Sequence, residues 1–340
     1  MIKIGLIGAG YWGPNLARVI NQSRRCRFSA CCDVVPDNLD KVIEQYPAVR
    51  GFSSASQMWE SDVDAVVIAT PISTHFSLAS QALRAGKHVL VEKPLAHNSA
   101  SGKELVALAE KKSLTLMTGH TFIFSPPVMK IKELIESGAL GDLYYISLSR
   151  VNLGLYQKDV DVIWDLAVHD VSMLLYWLEE LPSQAHALGR ACVQKDKNDV
   201  AFLWLRFGDG LVASIEVSWL SPQKMRRSLI VGSKRMVVYD DTEPSEKIRI
   251  YDRGVIVHQP ESFGEFQLTY RVGDMVAPTL SNVEPLLAEI EHFVESIETG
   301  GTPKTNGMFG TNVVRILEAA IGSMQAGPFS LTGAGSSAGD

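Results

Sequence analysis

The chain has 340 residues, 46% from the AVILMFWYC set and 21% charged, which excludes a disordered chain and leaves length for one large domain or two ordinary ones. A net charge of −6 supplies no global attraction for nucleic acid or an anionic membrane, so neither is expected as a partner. No apolar run approaches the roughly 18 residues of a membrane span. The opening MIKIGLIG runs into a glycine turn instead of a cleavage site, which reads as the first strand of a cytoplasmic protein. Cys26, Cys31, Cys32 and Cys192 form no C-x-x-C pair and are expected as buried free thiols.

Taken in chain order, short apolar runs at 2–8, 28–33, 63–70, 88–92 and 114–119 alternate with amphipathic stretches near 14–22, 36–46, 76–86 and 98–112. Apolar runs without polar alternation suit strands buried on both faces, and the βα alternation predicts a doubly wound parallel sheet. After His120 the pattern changes. A helix near 126–137 leads to the strand GDLYYISLSRV, a helix is expected over 162–179, and strand-like segments follow from about 184 to 258. VAFLWLRF, LVASIEVSW, SLIVGSKRMVVYD and EKIRIYD are rich in β-branched and aromatic residues and are separated by turn residues. Two helices, near 283–299 and 308–326, close the pattern. The expected architecture is a Rossmann domain at 1–121, an α+β domain at 122–331 with a large, mainly antiparallel open-faced sheet, and a disordered tail at 332–340 rich in Gly and Ser.

GAGYWGP, at 8–14, puts glycines at 8, 10 and 13 between a strand and a helix. Gly8 permits the turn, Gly10 lets backbone approach a pyrophosphate, and Gly13 lets helix and strand pack closely. Pro14 suits a first helical turn, whose N–H groups and partial positive charge attract an anion. Tyr11 and Trp12 sit within the same cradle. Asp33 ends the second strand twenty residues beyond Gly13, the spacing at which a carboxylate accepts hydrogen bonds from an adenosine ribose. A carboxylate there repels a 2′-phosphate, and Val34-Val35-Pro36 offers no arginine to receive one, so NAD is favoured over NADP.

ATPISTH (69–75), the tripeptide Glu92-Lys93-Pro94 within VLVEKPLA, and Asp165-x-x-x-His169 within IWDLAVHD, together with the glycine fingerprint, resemble the Gfo/Idh/MocA oxidoreductases over essentially the whole chain. GHTFIFSP, SRVNLGLYQ and VIWDLAVHDVSMLLYWL are most similar to the nucleotide-sugar 3-dehydrogenases of that family. Those enzymes oxidise the C3 hydroxyl of UDP-hexoses such as UDP-N-acetylglucosamine. One departure is Ala167, where the family pattern has a glycine two residues after the aspartate.

The resemblance implies that Lys93 and His169 flank the reacting oxygen, with Asp165 holding substrate or polarising the histidine. Taken alone, Lys93 reads equally as a solvated charge, and Asp165 and His169 as a helix-stabilising pair on one face. The resemblance further implies that Glu92 orients cofactor or lysine, that Pro94 fixes the turn, and that Thr70, Pro71 and His75 line the cofactor. His75 reads otherwise as a residue of a helix start. His120 either touches nicotinamide or sugar or is a satisfied buried histidine. Arg150, Asn152 and Gln157 are candidates for gripping substrate. Lys224, Arg226 and Arg227 read as a diphosphate contact or as a solvated or subunit-facing cluster. His97, His186 and His292 have no metal-ligand spacing, and no metal is expected. A cyclitol or free-sugar dehydrogenase, a 3-ketosugar reductase and a non-catalytic NAD sensor remain the alternatives. A homodimer or homotetramer through the second sheet is implied.

Overall fold

The computed structural model describes residues 1–154, 156–157, 159–208, 210–257 and 268–325. Its first half is a six-stranded parallel sheet of order β3-β2-β1-β4-β5-β6. The strands are β1 (Ile2–Ile7), β2 (Cys26–Cys32), β3 (Arg50–Phe52), β4 (Ala65–Ile68), β5 (His88–Glu92) and β6 (Leu116–Gly119). The helices of this half are α1 (Gly13–Gln22), α2 (Pro36–Gln45), α3 (Ala55–Trp59), α4 (Ile72–Arg84) and α5 (Ser99–Lys112). The strands are covered on both faces: Cys31 joins one apolar core and its neighbour Cys32 the other. The strand order reverses between β1 and β4, which opens a crevice at their carboxyl ends.

The second half begins with a 3-10 turn (Thr121–Phe124) and α6 (Pro126–Glu136). It continues with β7 (Leu143–Leu153), a π-helical turn (Ile163–Ala167) and α7 (Val168–Leu178). Then come β8 (Gln184–Arg190), β9 (Val200–Arg206), β10 (Val212–Ser218), β11 (Leu220–Gly232), β12 (Met236–Asp240), β13 (Ile248–Val257) and β14 (Leu268–Val276). These strands form an eight-stranded sheet, antiparallel throughout except where β7 meets β10. One face carries the helices. On the other, β9 alternates buried Ala201, Leu203 and Leu205 with exposed Phe202, Trp204 and Arg206.

α8 (Pro285–Thr299) and α9 (Gly307–Gln325) return to the first sheet, where α9 packs on α5 and α8 on α1 and the 3-10 turn. One apolar core therefore runs from Ile4 through Trp177 and Trp219 to Leu317. β3, α3 and β14 were not foreseen: the first two are short, and β14 is exposed along nearly its whole length, so neither leaves a buried periodicity to read. The expected helix over 162–179 begins as a π turn at Ile163–Ala167. The expected tail at 332–340 lies outside the described residues.

Candidate active site

Each glycine of the cradle has a separate steric reason. Gly8 adopts φ +96°, and a Cβ there would lie 2.6 Å from the Ala69 carbonyl oxygen. A Cβ on Gly13 would meet the Gly8 oxygen at 2.5 Å, so only glycine lets α1 start this close to β1. At Gly10 a Cβ would face open space, room that a pyrophosphate can take. Asp33 accepts the Ala9 N–H at 2.6 Å and the Val35 N–H at 2.8 Å, which fixes the cradle and leaves lone pairs over for a ribose. These residues fit a dinucleotide.

Beside the cradle opens a cleft of about 620 Å³, lined by Tyr11, Trp12, Ala69, Pro71, Glu92, Lys93, Gly119, Phe122 and, from the second half, Gln157, Trp164, Asp165, His169, Arg226 and Asp241. β5 ends at Glu92, and the Lys93–Pro94 peptide that follows is cis. The Lys93 ammonium lies 3.0 Å from the Asp165 carbonyl oxygen and 3.4 Å from its Oδ1. Asp165 Oδ2 accepts the indole N–H of buried Trp219 at 3.1 Å. Asp165 therefore holds Lys93 and does not polarise His169, a correction to the expected pairing along the helix. His169 lies on the cleft wall with its ring edge-on to Phe122 at 5.0 Å, and its Nδ1 has no partner. Burial, then the charges of Lys93 and Arg150, push its pKa well below the usual value, so it stands neutral, with Nδ1 free to accept a hydrogen bond.

Several expected contacts lie elsewhere. His75 is buried, its Nδ1 2.8 Å from the Pro94 carbonyl and its Nε2 2.8 Å from the Thr70 carbonyl, so it ties two loops together behind the cleft. Thr70 turns its hydroxyl to Thr74, while Pro71 reaches the cleft. His120 is buried against Phe309 with neither ring nitrogen partnered, and burial with the Lys93 charge lowers its pKa to about 3. It is neither a cleft residue nor a satisfied histidine. Arg150 is also corrected: it makes two 2.9 Å bonds to Asp170 inside the core and stacks over Phe122, so it supports the cleft floor instead of gripping a ligand. Asn152, on β7, does not line the cleft, whereas Gln157 does.

In the basic cluster, Arg226 reaches the cleft, where it pairs with Asp241 at 3.3 Å, while Lys224 and Arg227 are exposed. His97 and His186 are exposed, and His292 accepts the Lys304 N–H. Among the described residues no three His, Cys, Asp or Glu side chains converge as a metal site. Cys26, Cys31 and Cys32 are buried as expected, but Cys192 is exposed on the loop after β8.

Trp219, Asp241 and Glu289 were not foreseen. Glu289 did leave a signal. It falls on the apolar stripe Leu286, Ile290, Phe293, Val294 of α8, where a carboxyl has no solvent.

Two family models match this chain. One describes an oxidoreductase family with an NAD-binding Rossmann fold and matches residues 2–120; the other is the GFO/IDH/MocA C-terminal domain and matches 128–238. The chain belongs to the Gfo/Idh/MocA oxidoreductases and carries their NAD-binding domain. It is similar to UDP-N-acetylglucosamine 3-dehydrogenase of Acidithiobacillus ferrooxidans, 28% identical over 323 residues that cover 94% of this chain and 95% of that one. A solved structure of that enzyme superposes with a TM-score of 0.80 at 26% identity, covering 96% of this chain and 98% of the other. Inositol 2-dehydrogenase of Rhizobium meliloti is 24% identical over 342 residues, covering 95% and 97%. Among the described residues no helix is long and apolar enough to cross a membrane.

Proposed function

We propose that this NAD-dependent oxidoreductase oxidises a secondary hydroxyl, at C3, of a nucleotide-activated hexose to the 3-keto sugar. The observation that carries the reading is the Lys93–Asp165–His169 arrangement on the cleft wall next to the glycine cradle, in a chain that aligns nearly end to end with a UDP-N-acetylglucosamine 3-dehydrogenase. Bound in the cradle, the cofactor supplies the hydride acceptor.

The chain's own residues do the rest. Lys93, fixed by the Asp165 carbonyl and carboxylate, presents its ammonium where an alkoxide develops as hydride leaves. Neutral His169 accepts the hydroxyl proton across the same space. Trp219 and Asp165 keep the lysine from swinging to solvent, and the aromatic walls of Trp12, Phe122 and Trp164 exclude water. The ion pair Arg226–Asp241 offers donors and acceptors for sugar hydroxyls farther along the cleft. A regulator that only sensed NAD would have no use for a lysine held in this way.

Turnover of NAD+ with UDP-N-acetylglucosamine, UDP-glucose and myo-inositol tests the substrate class. The reading expects nucleotide-sugar oxidation with a 3-keto product; oxidation confined to free polyols would overturn it. The exposed apolar residues of the second sheet, among them Phe202, Trp204, Tyr145 and Tyr270, support a homodimer or homotetramer through that face. Sedimentation should find more than one copy, and a sharp monomer at micromolar concentration would rule the assembly out.

A further inference from the structure

The hydride site accounts for Lys93 and His169 but not for two nearby carboxyls, Glu289 fully buried and Glu92 half-buried on the cleft wall. Glu92 ends β5, and Glu289 projects from the buried stripe of α8, nearly two hundred residues later. Glu289 has no exposed surface; its Oε2 accepts the Thr121 hydroxyl at 2.9 Å and its Oε1 has no partner. Glu92 receives the Lys93 backbone N–H at a long 3.2 Å on Oε2, while its Oε1 is buried and unpartnered. Gly119 makes room for it, since a Cβ there would sit 3.2 Å from Glu92 Oε1. Two ionised carboxylates with so few donors would carry a large desolvation cost, so the pair keeps at least one proton at neutral pH.

We propose that Glu92 and Glu289 act together as the internal proton store of the oxidation. The carboxyls share a further proton while the neighbouring nicotinamide ring is uncharged and release it when that ring is cationic. The step balances. The C–H electron pair leaves the sugar carbon as hydride and reduces NAD+; the hydroxyl O–H bond breaks, a C=O bond forms, and the freed proton goes first to His169 and from there to the carboxyl pair.

The geometry favours this assignment. Glu92 precedes Lys93 in the chain and lines the cleft, so a charge on it acts directly across the hydride site. The groups placed against the pair are Lys93 at the end of β5 and Trp12 in the cradle, beside Glu92, and Thr121 after β6, bonded to Glu289. Lys93 is the cation that acts on Glu92. Of the other charges along α8 and at its start, Glu284 pairs with Arg18, and Glu295 and Glu298 with Arg25. Burial pushes Glu92 up to about 7, and burial together with the Glu92 charge raises Glu289 further from its ordinary value. The pair thus titrates as a unit in the range where the enzyme would work.

The proposal rests on hydride chemistry at this site, not on which sugar is oxidised, and its test needs no sugar. Calorimetry of NAD+ binding in buffers of different ionisation enthalpy counts protons released. Wild type should release close to one proton per NAD+ near about pH 6.5 and far fewer on binding NADH. Glu92→Gln should bind NAD+ with no release in that range. The infrared band of a protonated carboxyl should be present in the wild-type protein without cofactor at about pH 8 and absent in Glu289→Gln. Glutamine keeps the volume and the bond to Thr121, so both variants should stay folded, and each measurement stands if the other variant does not. The proposal is overturned if wild type binds NAD+ without losing a proton, if Glu92→Gln loses as many, or if the acid band survives in Glu289→Gln.

Discussion

Lys93 shows what a single residue gains from its surroundings. As a free surface lysine it would be a hydrated point charge; here two oxygens of Asp165 fix the ammonium, and Trp219 fixes Asp165. Asp165→Asn should therefore leave NAD+ binding intact and lower kcat by about ten- to a hundredfold, because the lysine is displaced without being removed. Steady-state kinetics beside cofactor titration checks this. Arg150 is a contrasting case. Both it and Asp170 are buried, so Arg150→Met leaves a carboxylate without its counter-ion and should cost about 3–5 kcal/mol of stability in denaturant unfolding. Sequence could mark both residues as polar groups near the site, but not tell a ligand contact from a buried ion pair. The partner Asp170 follows His169 on α7, and only packing of that helix against β7 brings it to Arg150.

At the scale of elements, the glycine loop was legible in full, because each glycine answers a local backbone demand that needs no long-range contact. Gly10 and Gly13 should separate in experiment. Gly10→Ala projects into open space and should fold with unchanged stability while weakening NAD+ at least tenfold, which cofactor titration and thermal unfolding read together. Gly13→Ala drives a methyl toward the Gly8 carbonyl and should cost about 1–3 kcal/mol even without cofactor. The helix bearing Asp165 and His169 was only half legible. Spacing of four put both on one face, yet the wider π turn at Ile163–Ala167 sends Asp165 to Lys93 while His169 points into the cleft from regular α7. Nothing in the local sequence distinguishes that turn from ordinary helix. β14 was illegible for another reason: an exposed strand buries nothing and keeps no period.

Over the whole molecule, the two sheets share one core because α8 and α9 return to the first half. The order of parallel strands followed by a second sheet was legible; the return was not, since it depends on which faces of the last helices meet α1 and α5. That return also carries Glu289 into the interior beside Glu92. Its folded-state pKa is raised, so it holds a proton that the unfolded chain gives up. Its stability contribution is complete below about pH 4.3 and is lost as pH rises above that. Glu289→Gln removes this loss, so its melting temperature relative to wild type should climb as pH rises above about 4.3. A difference that stays flat with pH would mean that the carboxyl is not held protonated.

The central claim is that Lys93 stands at the reacting oxygen. Single-turnover reduction of NAD+ by UDP-N-acetylglucosamine, followed by NADH absorbance in wild type and Lys93→Met, tests it most directly. The account predicts hydride transfer in wild type and a loss of about 10²–10⁴-fold in the variant, with NAD+ still bound and the melting temperature preserved. Wild-type rates in a folded, NAD+-binding Lys93→Met protein would contradict it.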